Sequence, residues 1–185
     1  MSTLAKKFKE EIAEQLQKAL GLQNVMATPA LEKIVLNIGL KEGMKDAKII
    51  EEVASQLALI VGQKPVVTRA RKAIAGFKLR QGDPIGVKVT LRGNKMYDFF
   101  EKLVRVALPR VRDFHGVSTT SFDGHGAYSL GFRESNVFPE IDTGTARDFG
   151  LEVTIQTSTQ KDEEAKKLLE ELGMPFRKER IEKSV

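Results

Sequence analysis

Between Lys64 and Arg112 the chain sets thirteen lysines and arginines against three carboxylates, Asp83, Asp98 and Glu101. That segment carries a net charge of +10, whereas the whole chain of 185 residues carries +5, so the remainder is at −5. Concentrating like charge costs self-repulsion that a mixed surface avoids. A phosphate backbone relieves it, and the counterions released on binding supply free energy. A face kept only for solubility would intersperse acids among its bases. The asymmetry therefore points to a nucleic-acid partner.

Inside this segment, Arg71-Lys72 leads into Ala73, Ile74, Ala75, Gly76, Phe77, Lys78, Leu79, Arg80, Gln81 and Gly82. The run from Arg71 to Pro84 reads as a long loop between paired strands, and such a loop is uncommon in a compact domain unless it acts. Its cations suit phosphates, Phe77 suits stacking on a base or ribose, and the glycines permit close backbone approach. At least one of Ile74, Phe77 and Leu79 is expected to tuck into the core.

Other chemistries are poorly supplied. The chain has no cysteine, which removes disulfides, thiolate metal sites and cysteine nucleophiles together, and its two histidines are too few for an imidazole cluster. No apolar run approaches the roughly 20 residues needed to span a bilayer. The N-terminal segment is charged and amphipathic, without a signal-peptide core. The expectation is a soluble cytosolic protein with no metal, no cofactor and no membrane contact. Gly124-His125-Gly126 lacks the spacing and following helix of a dinucleotide cradle and reads as a tight turn. Asp123, Glu134, Glu140 and Asp142 resemble a magnesium-nuclease set in composition, but no periodicity converges them. Ser121 lies near His115 and His125 without an elbow motif. A non-catalytic RNA binder is the reading adopted, and an RNA-processing enzyme is the alternative.

The elements that must position these residues follow from periodicity. Leu4, Phe8, Ile12, Leu16 and Leu20 predict a helix with one apolar stripe, with Ser2 as cap and Gly21 as stop. Leu31 to Gly39 alternates, directing Ile34, Leu36 and Ile38 to a core and Lys33, Val35 and Asn37 away from it. A second helix runs from about Asp46 to Val61. Val66 to Arg69 is a short strand, and Ile85, Val87, Val89 and Leu91 alternate with Gly86, Lys88, Thr90 and Arg92. Asn94 is expected to cap a third helix that Pro109 stops. Asp113 to Gly131 suggests a strand pair, Leu151, Val153 and Ile155 a last strand, and Asp162 to Leu172 a last helix. The predicted fold class is α+β, a largely antiparallel five-stranded sheet with four helices packed on one face and a long basic loop, all within one domain over 1–185 with the loop 71–84 protruding. The uncovered side of such a sheet would present Lys33, Asn37, Lys88, Thr90 and Arg92 at fixed spacing.

The residues also carry a family likeness. Thr68-Arg69-Ala70-Arg71-Lys72, Ala75-Gly76-Phe77-Lys78-Leu79-Arg80, Pro84-Ile85-Gly86 and Val89-Thr90-Leu91-Arg92 follow in close order. Then come Ala107-Leu108-Pro109-Arg110-Val111-Arg112-Asp113-Phe114, Ser121-Phe122-Asp123-Gly124, Phe138-Pro139-Glu140-Ile141 and Gly173-Met174-Pro175-Phe176. From about Leu4 to Lys178 the series resembles the family of bacterial large-subunit ribosomal protein five, which binds 5S rRNA. The resemblance implies a ribosome-bound role in the central protuberance, anchoring 5S rRNA to the large subunit and its 23S rRNA. It implies contact with P-site tRNA through Ala73–Gly82 and a bridge to a protein of the small-subunit head. Family residues that hydrogen-bond 5S rRNA fall on Asn37, Gln63 and Thr90, with Lys33, Lys88 and Arg92 expected to position phosphates. The chain departs from the family pattern at Asp83, His115, His125 and Thr143 to Gly150, which bears on peripheral phosphate contacts and the bridge surface.

Overall fold

The computed structural model describes residues 3–40, 47–141 and 148–177. Ser2, Asp46, Asp142 and most of the segment from Thr143 to Gly150 lie outside them. The chain runs α1 (Thr3–Lys7), α2 (Ala13–Leu20), β1 (Leu31–Gly39), α3 (Ala47–Val61), β2 (Val66–Arg69), β3 (Pro84–Leu91), α4 (Gly93–Lys102), α5 (Leu108–Arg110), β4 (Ala127–Phe132), β5 (Leu151–Thr157) and α6 (Asp162–Glu171). The strands form one five-stranded sheet in the order β2-β3-β1-β5-β4, with every neighbouring pair antiparallel. The α+β expectation is met.

Register follows from alternation. Ile34 stands opposite Leu91 and Ile155, Leu36 opposite Val89 and Val153, and Ile38 opposite Val87, all buried. Ile50, Val53, Leu57 and Ile60 of α3 and Met96, Phe99, Phe100 and Leu103 of the α4 region complete the same core. A one-residue slip would turn this whole set to water, and each large aliphatic side chain is worth about 1.5–3 kcal/mol when buried.

The N-terminal helical run meets its expectation, Thr3 to Leu20 with Gly21 as its stop, and adds a π turn. Side chains repeating every four residues drift about 40° per step around a 3.6-residue helix. A π-helical turn at Phe8–Ile12, in which the Ala13 N–H reaches the Phe8 carbonyl, absorbs that drift between α1 and α2. Leu4, Ile12 and Leu16 stay buried on one side, and Gly21 at φ +65° ends the run.

Three expectations shift. The third helix starts at Gly93, after a sharp turn at φ +60°, so Asn94 lies inside the first turn and does not cap it. Pro109 does not stop the helix. A second π turn, Leu103–Ala107, precedes it, and the helical run continues to Arg110. The wider turn accommodates a ring that would otherwise clash with the carbonyl four residues back. Between Asp113 and Gly131 only β4 is a strand, because Gly116, Gly124 and Gly126 at positive φ reduce the rest to isolated bridges, Val117 to Phe176 and Phe122 to Tyr128.

Lys102 ties α3 to α4. Its ammonium donates to the Ile60 carbonyl at 2.8 Å and pairs with Glu140, while Lys95 donates to the Gly62 carbonyl at 3.2 Å. Lys102→Met should remove about 1–3 kcal/mol of stability, because it leaves both the helix-end carbonyl and a half-buried carboxylate unpaired. A urea midpoint equal to that of the parent would contradict this role.

Candidate nucleic-acid interface

On the side of the sheet opposite the core, five residues line up across the strands: Val66, Lys88, Asn37, Glu152 and Gly131. The next rung is Thr90, Val35, Thr154 and Ser129, and beyond it Lys33, Gln156 and Ala127. Adjacent strands lie about 4.8 Å apart, and diagonal neighbours such as Asn37 and Thr90 about 7–8 Å. Asn37, Lys88 and Glu152 are exposed, Lys33, Val35 and Thr90 half-buried, and Val66 is 62% exposed. The face is therefore uncovered, as the alternation predicts. Gly39 and Gly86 face each other on the adjoining rung, where Gly39 is exposed and Gly86 is buried beside the Thr68 hydroxyl.

The sequence-predicted residues converge here. Gln63, just past the end of α3, donates from Nε2 to the Thr90 carbonyl at 3.2 Å, which fixes it beside β3. Arg92 follows the last residue of β3 and is exposed. Alternation along β1 and β3 places Asn37 and Thr90, but Gln63 has no periodic signal, because a turn after a helix stop gives no direction. Sequence reasoning missed Glu152. Its signal was present in β5, where inward Leu151, Val153 and Ile155 oblige the intervening residues to face out. Asn37 Nδ2 lies 3.4 Å from Glu152 Oε2.

The basic loop is more ordered than expected. Ile74 and Leu79 exchange backbone hydrogen bonds of 2.9 and 3.1 Å around a single turn at Ala75–Phe77, with Lys78 in the left-handed region at φ +53°. Its base is closed by Ala70 N–H to Asp83 O at 2.8 Å and by the Arg69 guanidinium to the Gly82 carbonyl at 3.0 Å. Asp83 does more than dilute charge, since its carboxylate accepts the Arg80 N–H at 2.8 Å and so fixes the returning arm. None of the three apolar side chains is in the core. Phe77 is 70% and Ile74 45% exposed, and Leu79 is half-buried. The hairpin holds the tip away from the sheet, so burial of these side chains would require the loop to fold back. Arg71, Lys72, Lys78 and Arg80 are all exposed around the tip.

The Gly124–Gly126 turn and the acids near it are engaged within the chain, apart from Glu140 Oε2, which is buried without a partner among the described residues. Asp162, in the first turn of α6, accepts the N–H groups of Gly124 and Gly126 at 3.0 and 2.8 Å, and Asp123 accepts those of His125 and Ala127. The donors a phosphate would need are thus taken by the chain's own carboxylates. The Ala127 and His125 N–H groups hold the Asp123 carboxyl below its ordinary range. Glu140 pairs with Lys102, and Glu134 accepts from Asn136. Among the described residues no three His, Asp or Glu side chains gather to hold a metal. Burial pushes the Tyr128 phenol up to about 12, and the phenol donates to the Ser118 carbonyl.

The comparisons decide the family. Residues 24–80 match the family described as ribosomal protein L5, and residues 84–176 match the model of that ribosomal family's C-terminus. The chain is 54% identical over 177 residues to large ribosomal subunit protein uL5 of Halothermothrix orenii, covering 95% of this chain and 99% of that one. The protein of the same name from Geobacter sulfurreducens is 54% identical over 178 residues, with 96% and 99% covered. The chain belongs to the ribosomal protein L5 family. Membership makes it a structural, non-catalytic constituent of the large ribosomal subunit that associates with rRNA, ribosome-bound in the bacterial cytoplasm. It fits an outer sheet face that carries the Asn37 amide, the Thr90 hydroxyl and the Lys33 and Lys88 ammonium groups beside the Glu152 carboxylate.

Proposed function

We propose that the uncovered sheet face receives 5S rRNA and that the whole chain, 1–185, acts as one RNA-binding unit in the central protuberance, joining 5S rRNA to 23S rRNA. The observation that carries this reading is the convergence of Asn37, Gln63 and Thr90 on one open flank. These short side chains suit 2′-hydroxyls and base edges of a shallow RNA surface, and Lys33, Lys88 and Arg92 suit the flanking phosphates. The experiment is a binding titration of purified protein with 5S rRNA and magnesium. Stable complex without cleavage agrees with the reading, and metal-dependent turnover of the RNA contradicts it.

The loop Ala73–Gly82 is assigned separately to P-site tRNA. It projects from the far ends of β2 and β3 and presents Phe77 for stacking, and together with its leading arm it carries four exposed cations, Arg71, Lys72, Lys78 and Arg80. Deleting Ile74–Arg80 should leave 5S rRNA affinity within about threefold of the parent, because the loop adds only peripheral charge to that face. The same deletion should weaken tRNA placement on reassembled ribosomes. A large loss of 5S binding would refute the division. The bridge to a protein of the small-subunit head rests on the family resemblance.

A further inference from the structure

Glu152 occupies the middle of the proposed RNA face, flanked by Asn37 on β1 and Gly131 on β4. A carboxylate in that place works against simple phosphate attraction. It is exposed, and among the described residues it forms no ion pair, although Lys88 stands on the same rung one strand beyond Asn37. An ionised carboxylate only accepts hydrogen bonds, so any group it welcomes must donate. The hydroxyls and amides around it can do either, and the lysines only donate. The rung therefore runs from a phosphate-attracting end at Lys88, through the adaptable amide of Asn37, to a phosphate-repelling acceptor.

We infer that Glu152 is a specificity-determining residue of this face, which accepts N–H donors from the exposed edge of an unpaired base and repels phosphate from the centre of the sheet. The inference rests on the RNA-face reading above. Two carboxylate oxygens match paired N–H donors, such as those of a guanine edge or a cytosine amino group. Asn37, held 3.4 Å away through one N–H of its Nδ2, keeps its second N–H and its carbonyl oxygen for neighbouring groups. A backbone presented in place of a base would meet like charge, so RNA lacking a splayed base at this point is disfavoured. The side chain thus supplies selectivity, and the cations around it supply affinity.

The test compares Glu152→Gln with the parent for binding to 5S rRNA and to an unrelated structured RNA of equal length at several salt concentrations. Glutamine keeps the shape and removes the charge, and because the site is exposed the melting temperature should not change. Affinity for 5S rRNA should fall about tenfold, as expected for losing a charged acceptor, while the unrelated RNA binds as well or better. A 5S affinity that stays the same or rises, or that falls in step with the unrelated RNA, overturns the inference. Asn37→Ala and Lys88→Glu run alongside. If neither weakens 5S binding, the face itself is misassigned. If both do and Glu152→Gln leaves the selectivity ratio unchanged, only the role of Glu152 fails.

Discussion

Asn37→Ala should weaken 5S rRNA binding by about 1–3 kcal/mol, roughly fivefold to 150-fold, and Thr90→Ala should do the same. Each removes a group that stands on an open face and would be covered in the complex, where an orphaned partner on the RNA cannot turn to water. Neither change should disturb the fold. Asn37 is exposed, and the bond from Gln63 goes to the Thr90 carbonyl, which alanine retains. Because the two side chains sit on neighbouring rungs, their effects should combine with some coupling. Binding isotherms for the two single variants and the double variant check this. If both single variants bind as tightly as the parent, the hydrogen-bonding role is wrong.

Gly86→Ala should be among the most damaging single-atom additions on this face, costing about 2–4 kcal/mol of stability. A Cβ at Gly86 would stand 2.3 Å from the Ile38 carbonyl oxygen and 3.2 Å from the Thr68 hydroxyl. The first of these is backbone at the centre of the sheet, so β3 would have to move away from β1. The same movement would part Thr90 from Asn37, and RNA affinity should fall with stability. Gly39 provides the control. It faces Gly86 across the rung, yet a Cβ there meets nothing within 4 Å. Gly39→Ala should therefore change stability by less than about 1 kcal/mol. Equal denaturation midpoints for the two variants would contradict the packing described.

Much of the proposed RNA face is legible in the sequence, and the reason is the period of two in a strand. Once Ile34, Leu36 and Ile38 are assigned inward, Asn37 must point out, and Val87, Val89 and Leu91 do the same for Lys88 and Thr90. What alternation cannot give is which strands adjoin. The pairing of β1 with both β3 and β5 brings Glu152 beside Asn37 across 115 residues of sequence, and no local pattern predicts that contact. Gln63 was likewise unreadable, since its direction depends on where α3 ends relative to β3. The two π turns were not legible. Four-residue spacing located the N-terminal helix without revealing its π turn at Phe8–Ile12, and reading Pro109 as a stop presupposed a uniform 3.6-residue turn that the π turn at Leu103–Ala107 breaks. The loop was placed correctly as a basic connection, but the Ile74–Leu79 pairing that holds Phe77 outward depends on a left-handed Lys78, a conformation lysine rarely signals.

The most direct test uses methyl groups that alternate across the sheet. In a complex with 5S rRNA, nuclear Overhauser contacts to ribose and base protons should be seen from the outward methyls of Val35, Val66 and Thr90. None should come from Leu36, Ile38 or Val89, which sit on the same strands but face the helices. RNA contacts confined to helix surfaces or to the tip around Phe77, with Val35 and Thr90 silent, would contradict the account.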